Sequence, residues 1–126
     1  MQPTLPYTTL THEVGHWLGL YHTFEAPAGK DPCLEPNDPT HGDRLVDTPR
    51  WSDKGPESSR DCYDWTQVKP ACSGKYSLAD IKKSVGNFLS YSYFACRKSF
   101  TTGQLNKMYQ TATLIRKFKP TCAKLS

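Results

Sequence analysis

Three of the four histidines of this 126-residue chain fall within HEVGHWLGLYH, His12 to His22. No other stretch restricts the fold as much. His12 and His16 are four apart, so on a helix they lie side by side, with Cβ atoms about 5–6 Å apart. His22 lies six residues beyond His16, well off a whole number of turns. It joins the other two only if the helix stops between them. Gly19 is the residue that tolerates a left-handed stop. The spacing therefore predicts a helix, a sharp turn at Gly19, and a return that delivers a third imidazole.

The same helix carries an apolar stripe of Leu10, Val14, Trp17, Leu18 and Tyr21, expected to face the core. At about 100° per residue, His12 and His16 fall on nearly the opposite side. Thr8 or Thr9 is the expected N-cap. Residues 25 to 76 hold most of the Pro, Gly, Asp, Asn and Ser, and predict irregular loops. SLAD, from Ser77 to Asp80, has the pattern of a capping box opening a short helix. A turn region follows, from Val85 to Tyr93. Thr101 and Gln104 are spaced as a second capping box. Leu105, Met108, Tyr109, Ala112 and Ile115 form a second core-facing stripe, followed by basic residues and a stop at Pro120.

Three neutral nitrogens suit zinc and leave a fourth position open for water. Bound zinc brings the pKa of that water to about 7. Glu13 is turned nearly a quarter turn from His12. It is poorly placed to ligate and well placed to hold a water as general base. His41 has no such context and reads as a loop histidine.

The five cysteines, Cys33, Cys62, Cys72, Cys96 and Cys122, form no C-x-x-C pair. Dispersed in a loop-rich chain, they read as disulfides and point to an oxidising, extracellular setting. The start of the chain has no export-signal pattern, and no apolar run is long enough to span a membrane. A chain truncated at its N-terminus would reconcile these observations and account for the odd cysteine. Ten of the twelve acids lie between Glu25 and Asp64, and eleven lysines and arginines follow Asp64. The basic half carries no nucleic-acid motif and reads as a solvated face.

The long pattern H-E-x-x-H-x-x-G-x-x-H resembles that of the metzincin zinc metallopeptidases. The string HEVGHWLGLYHTF resembles their pappalysin-type branch. GDRLVDTP (Gly42–Pro49), NFLSYS (Asn87–Ser92) and CRKSFTTGQLNKM (Cys96–Met108) resemble further segments of that branch, in matching order.

The resemblance implies His12, His16 and His22 as zinc ligands and Glu13 as general base. It implies that Tyr91 lies near the metal and helps stabilise the tetrahedral intermediate. It also implies Cys33–Cys72 and Cys62–Cys96 disulfides, with Cys122 left over. Loop calcium belongs to the same picture. Asp43 and Asp47 are its best-matched carboxylates, though both read equally well as solvated turn-starting acids. An extended polypeptide would be the substrate, and the protein would be secreted and monomeric.

The parent fold implied is α+β, of the metzincin-like zincin type. Residues 1–126 would be part of the catalytic domain, with two main helices, long disulfide-stapled loops and little strand. In the family a twisted sheet precedes the zinc helix, and only eleven residues precede His12 here. Leu89 replaces the methionine that floors the metal site, a change that keeps volume. Ser90 and Phe88 replace an aspartate and a tyrosine, with an expected loosening of the turn. Two readings follow. One is a zinc endopeptidase. The other is an inactive, disulfide-stabilised zinc-binding fragment serving as a binding module. Retention of Glu13, which a structural zinc site does not need, favours the enzyme.

Overall fold

The computed structural model describes residues 7–25, 42–49, 62 and 77–119. Helix α1 spans Tyr7–Trp17, α2 spans Leu78–Val85 and α3 spans Thr102–Gln110. A 3-10 turn at Phe94–Cys96 lies between α2 and α3, and a π-helical segment, Thr111–Ile115, extends α3. The β structure among the described residues is one isolated parallel bridge, Asn87 to Ser99. The expected predominance of helix with little strand holds. None of these helices is long and apolar enough to cross a membrane.

Both expected capping boxes form. Ser77 Oγ accepts from the Asp80 N–H, and the Asp80 carboxylate accepts from the Ser77 N–H. Thr101 and Gln104 reciprocate in the same way at α3. The cap expected at Thr8 or Thr9 does not form, because both residues lie inside α1. The helix of α3 ends at Ile115, with Lys117 at positive φ, ahead of Pro120.

The apolar stripes do not face the core. Leu10, Val14, Trp17 and Tyr21 are exposed, as are Leu105, Tyr109 and Ile115, while Leu18, Met108 and Ala112 are half-buried. α1 instead turns His12 and Gly15 inward, and α3 turns Gln104 and Thr111 inward. Gly15 explains the choice in α1. A Cβ there would lie 3.0 Å from Leu89 Cδ2, so the bare backbone lets the helix sit on Leu89. Periodicity located the stripes correctly, but the face each helix buries is its small and polar one.

The interior is accordingly polar. The buried apolar side chains among the described residues are Leu20, Val85, Leu89 and Cys96, against ten buried polar ones. Hydrogen bonds hold it together. The Asn87 and Gln104 carboxamides donate to each other at 2.8 and 3.0 Å. Asn87 Oδ1 also accepts from the Leu89 N–H at 2.9 Å. In the turn, Ser92 Oγ donates to the Val85 carbonyl, and the Ser90 hydroxyl lies within hydrogen-bond distance of both the Asn87 carbonyl and Ser92 Oγ, at 2.8 and 2.7 Å, with one proton to give.

The Cys62–Cys96 disulfide joins the loop before α2 to the 3-10 turn. Cys33, Cys72, Cys122 and His41 lie outside the described residues. Asp47 closes the frame. Its carboxylate accepts from the Gly103 N–H at 2.7 Å and from Thr101 Oγ1 at 2.9 Å, at the N-terminus of α3. A negative charge there is favourable.

Replacing Gln104 by Leu strands two donors, Asn87 Nδ2–H and the Thr101 N–H. At about 1–3 kcal/mol per unsatisfied group, Gln104→Leu is expected to cost at least 2 kcal/mol of stability. Urea denaturation of both chains checks this. An unchanged midpoint would show that the carboxamide pair does not support the fold.

Candidate metal centre

α1 presents His12 and His16 on one side. The chain then leaves the helix at Gly19, whose φ is +88°. The Gly19 N–H donates to the His16 carbonyl, and the Leu20 N–H to that of Gly15. This turn is the one the histidine spacing requires, and it brings His22 back over the helix. The three Nε2 atoms converge. His12 and His16 are 3.0 Å apart, His16 and His22 3.0 Å, and His12 and His22 3.2 Å.

The outer ring nitrogens are committed. His12 Nδ1 lies 2.6 Å from the Phe88 carbonyl oxygen and His16 Nδ1 lies 2.8 Å from that of Leu20. A carbonyl only accepts, so each Nδ1 carries the proton and each Nε2 offers a lone pair. His22 Nδ1 faces the Glu25 carboxylate at 3.7 Å. Even with its proton on Nε2, His22 could serve only one neighbour. At least two lone pairs would still meet.

A cation at the centre resolves that conflict. Zn–N distances of about 2.0–2.1 Å in a tetrahedral site put ligand nitrogens roughly 3.3 Å apart, close to what is seen. The donor set therefore fits zinc. Among the described residues, these three histidines form the one cluster of His, Cys, Asp or Glu able to hold a metal.

Burial keeps the rings ready to ligate. Loss of water lowers the His12 pKa, which the Phe88 hydrogen bond opposes and His16 and Arg97 reinforce. Burial and the two neighbouring histidines push His22 down to about 4. Both rings thus stay neutral below their ordinary pKa of 6.5.

Tyr91 lies against the cluster. Its ring centroid is 4.7 Å from that of His22 and 5.8 Å from that of His12. Phe24 stacks on His22 at 4.6 Å and meets Tyr91 edge-on at 4.8 Å, clamping the tyrosine. A cleft of about 470 Å³ opens beside the triad, lined by His12, Glu13, Tyr91, Tyr93, Phe94 and Arg97 among others. Glu13 is exposed on its wall. Leu89, fully buried, packs beneath Gly15.

Asp43 and Asp47 are not part of this centre. Asp43 is buried and accepts from the Leu45 N–H and from Thr48 Oγ1, while Asp47 caps α3. Both serve as structural anchors, and among the described residues neither belongs to a cluster able to hold a metal. Sequence reasoning missed the Phe88 and Leu20 carbonyls, Phe24 and Arg97. Backbone acceptors leave no residue signature. Phe24 and Arg97 fall inside the quoted segments HEVGHWLGLYHTF and CRKSFTTGQLNKM but belong to no spacing rule.

The family described as Pregnancy-associated plasma protein-A, Peptidase M43, matches residues 2–113. An extracellular metalloprotease of Aspergillus fumigatus is 37% identical over 113 residues, covering 88% of this chain and 29% of that protein. One of Arthroderma benhamiae is 36% identical over 105 residues, covering 82% and 30%. One of Colletotrichum graminicola is 38% identical over 109 residues, covering 86% and 32%. The chain thus spans about three-tenths of the length of these relatives.

The return of His22 rests on Gly19. A Cβ there would meet Thr111 Oγ1 at 2.8 Å, on a backbone that L side chains disfavour by about 1–2 kcal/mol. Gly19→Ala is expected to weaken zinc binding at least tenfold, and adding Thr111→Ala to relieve the clash but not the strain. Competition titration against a chromophoric chelator measures both. Undiminished affinity in Gly19→Ala would show that the turn does not position His22.

Proposed function

The chain belongs to the Peptidase M43 family, and from that premise we propose that it carries the metal centre of a secreted zinc endopeptidase acting on extended polypeptide. The observation that supports this most directly is the convergence of three Nε2 atoms beside a cleft walled by Glu13 and Tyr91. Zinc in that position supplies Lewis acidity, polarising a carbonyl and acidifying water.

The protein groups do the rest. Glu13, exposed on the cleft wall, takes a proton from the attacking water and returns it to the leaving amine. Tyr91, packed edge-on against the stacked rings of His22 and Phe24, directs its O–H toward the oxygen that gains charge as the carbonyl is attacked. The Phe88 and Leu20 carbonyls fix the His12 and His16 tautomers, so both Nε2 lone pairs stay on the metal side.

Residues 1–126 are then the metal-bearing part of a larger catalytic domain of the α+β zincin type. The exposed face of Tyr7, Leu10, Val14 and Trp17 on α1 supplies a surface on which the remainder packs. The Cys62–Cys96 disulfide and the extracellular relatives support secretion.

Two substitutions separate the roles. Glu13→Ala is expected to keep about one zinc per chain and to lose peptide cleavage. Tyr91→Phe is expected to keep zinc and KM while lowering kcat about 10²-fold or more. Zinc content by atomic absorption, paired with hydrolysis of a denatured protein, reads both. Zinc at full occupancy with no cleavage, both by this chain and by the longer catalytic domain that contains it, would overturn the peptidase reading in favour of a zinc-binding module.

A further inference from the structure

Arg97 lies in the wall of the cleft that holds His12, Glu13 and Tyr91. It is half-buried, and its Nε–H donates to the Ser92 carbonyl at 2.8 Å. That bond orients the guanidinium and leaves its terminal N–H groups unused. No carboxylate of the described residues pairs with it. The one approach of an imidazole to a carboxylate among those residues, His22 Nδ1 to Glu25 at 3.7 Å, does not involve Arg97. Glu13 shares the cleft without forming an ion pair with it. Loss of water around the guanidinium lowers its pKa, with Tyr91 opposing. Its field reaches His12 as well.

A half-desolvated guanidinium without an anion is costly to hold, and its planar fork matches a carboxylate. Tyr93 and Phe94 provide aromatic wall beside it, their ring centroids 4.4 Å apart.

We propose that Arg97 makes this cleft selective for a carboxylate on the bound polypeptide. The inference deepens the peptidase reading and rests on it for the identity of the ligand. The carboxylate comes from an Asp or Glu side chain close to the bond cleaved, or from the chain's own C-terminus. In either case the anchor is a charge-assisted, two-pronged hydrogen bond to the free N–H groups of Arg97. Glu13, on the same wall, must then lie on the far side of the reacting carbonyl.

Binding and cleavage are measured on the same peptides with the zinc-loaded chain. One pair of end-capped peptides differs only by Asp against Asn. A second pair differs only by a C-terminal carboxylate against an amide. In at least one pair the carboxylate form is expected to bind roughly tenfold tighter or more, and the responding pair identifies the source. Arg97→Gln is expected to abolish the difference, Arg97→Lys to keep only part of it, since an ammonium keeps the charge but not the fork, and Arg97→Glu to reverse it.

If Arg97 only anchors the Ser92 carbonyl, Arg97→Gln will weaken both members of a pair equally, which overturns the proposal. Equal binding within both pairs by the unaltered chain overturns it too. Carboxylate-selective binding without cleavage of any peptide upholds the Arg97 assignment and removes the peptidase reading. Cleavage without discrimination does the reverse.

Discussion

The site depends on one carboxamide. Asn87 exchanges hydrogen bonds with Gln104 and accepts from the Leu89 N–H, while its carbonyl accepts the Ser90 hydroxyl. The next residue, Phe88, is held by its N–H on the Ser99 carbonyl. Its own carbonyl meets His12 Nδ1. Three links therefore run from Gln104 in α3 to the tautomer of a metal-facing imidazole. Misplacement of Asn87 would free His12 to turn, and with it the lone pair that faces His16 and His22. Because Gln104 also closes the capping box of α3, the start of that helix and the orientation of His12 are set by the same side chain.

This arrangement explains why the interior is polar. A metal centre needs fixed ligand directions, and hydrogen bonds fix direction where apolar contacts do not. The residues buried around the centre are mostly donors and acceptors that satisfy one another: Asn87 with Gln104, Ser90 with Ser92, Asp43 with Thr48. Apolar surface is left outside on α1 and α3. Arg116 covers part of it, lying 4.4 Å over the Trp17 ring and donating to the Trp17 carbonyl, which ties the ends of the two helices together.

What the sequence made legible follows the same division. The triad, the Gly19 turn, both capping boxes and the Cys62–Cys96 bridge were readable because each is a short-range rule or a matched motif. Asp47 was visible as a motif-matched carboxylate of GDRLVDTP, but its role was not. Its partners, Thr101 and Gly103, lie more than fifty residues away, and only the fold brings the two segments together. The apolar stripes failed for another reason. Periodicity identifies a face but not which face is covered. Gly15 and Thr111, small and unremarkable in composition, decided that α1 and α3 would pack through their polar sides.

Among the described residues the interior is polar, and its few buried apolar side chains gain little from the removal of hydrocarbon from water. Zinc, held as proposed by the three converging imidazoles, would contribute where that burial does not, because free energy of binding to the folded state alone is also free energy of folding. The ligands join the first helix, the turn after Gly19 and, through the Phe88 carbonyl, the segment that leads to α3. A metal bound there would brace the same contacts that orient it. The centre and the fold around it form one cooperative unit, in which the Cys62–Cys96 bridge restrains the loop side and the imidazoles restrain the helix side. An ordinary apolar core could tolerate a tilted histidine. Here the tilt would remove both a ligand and a brace.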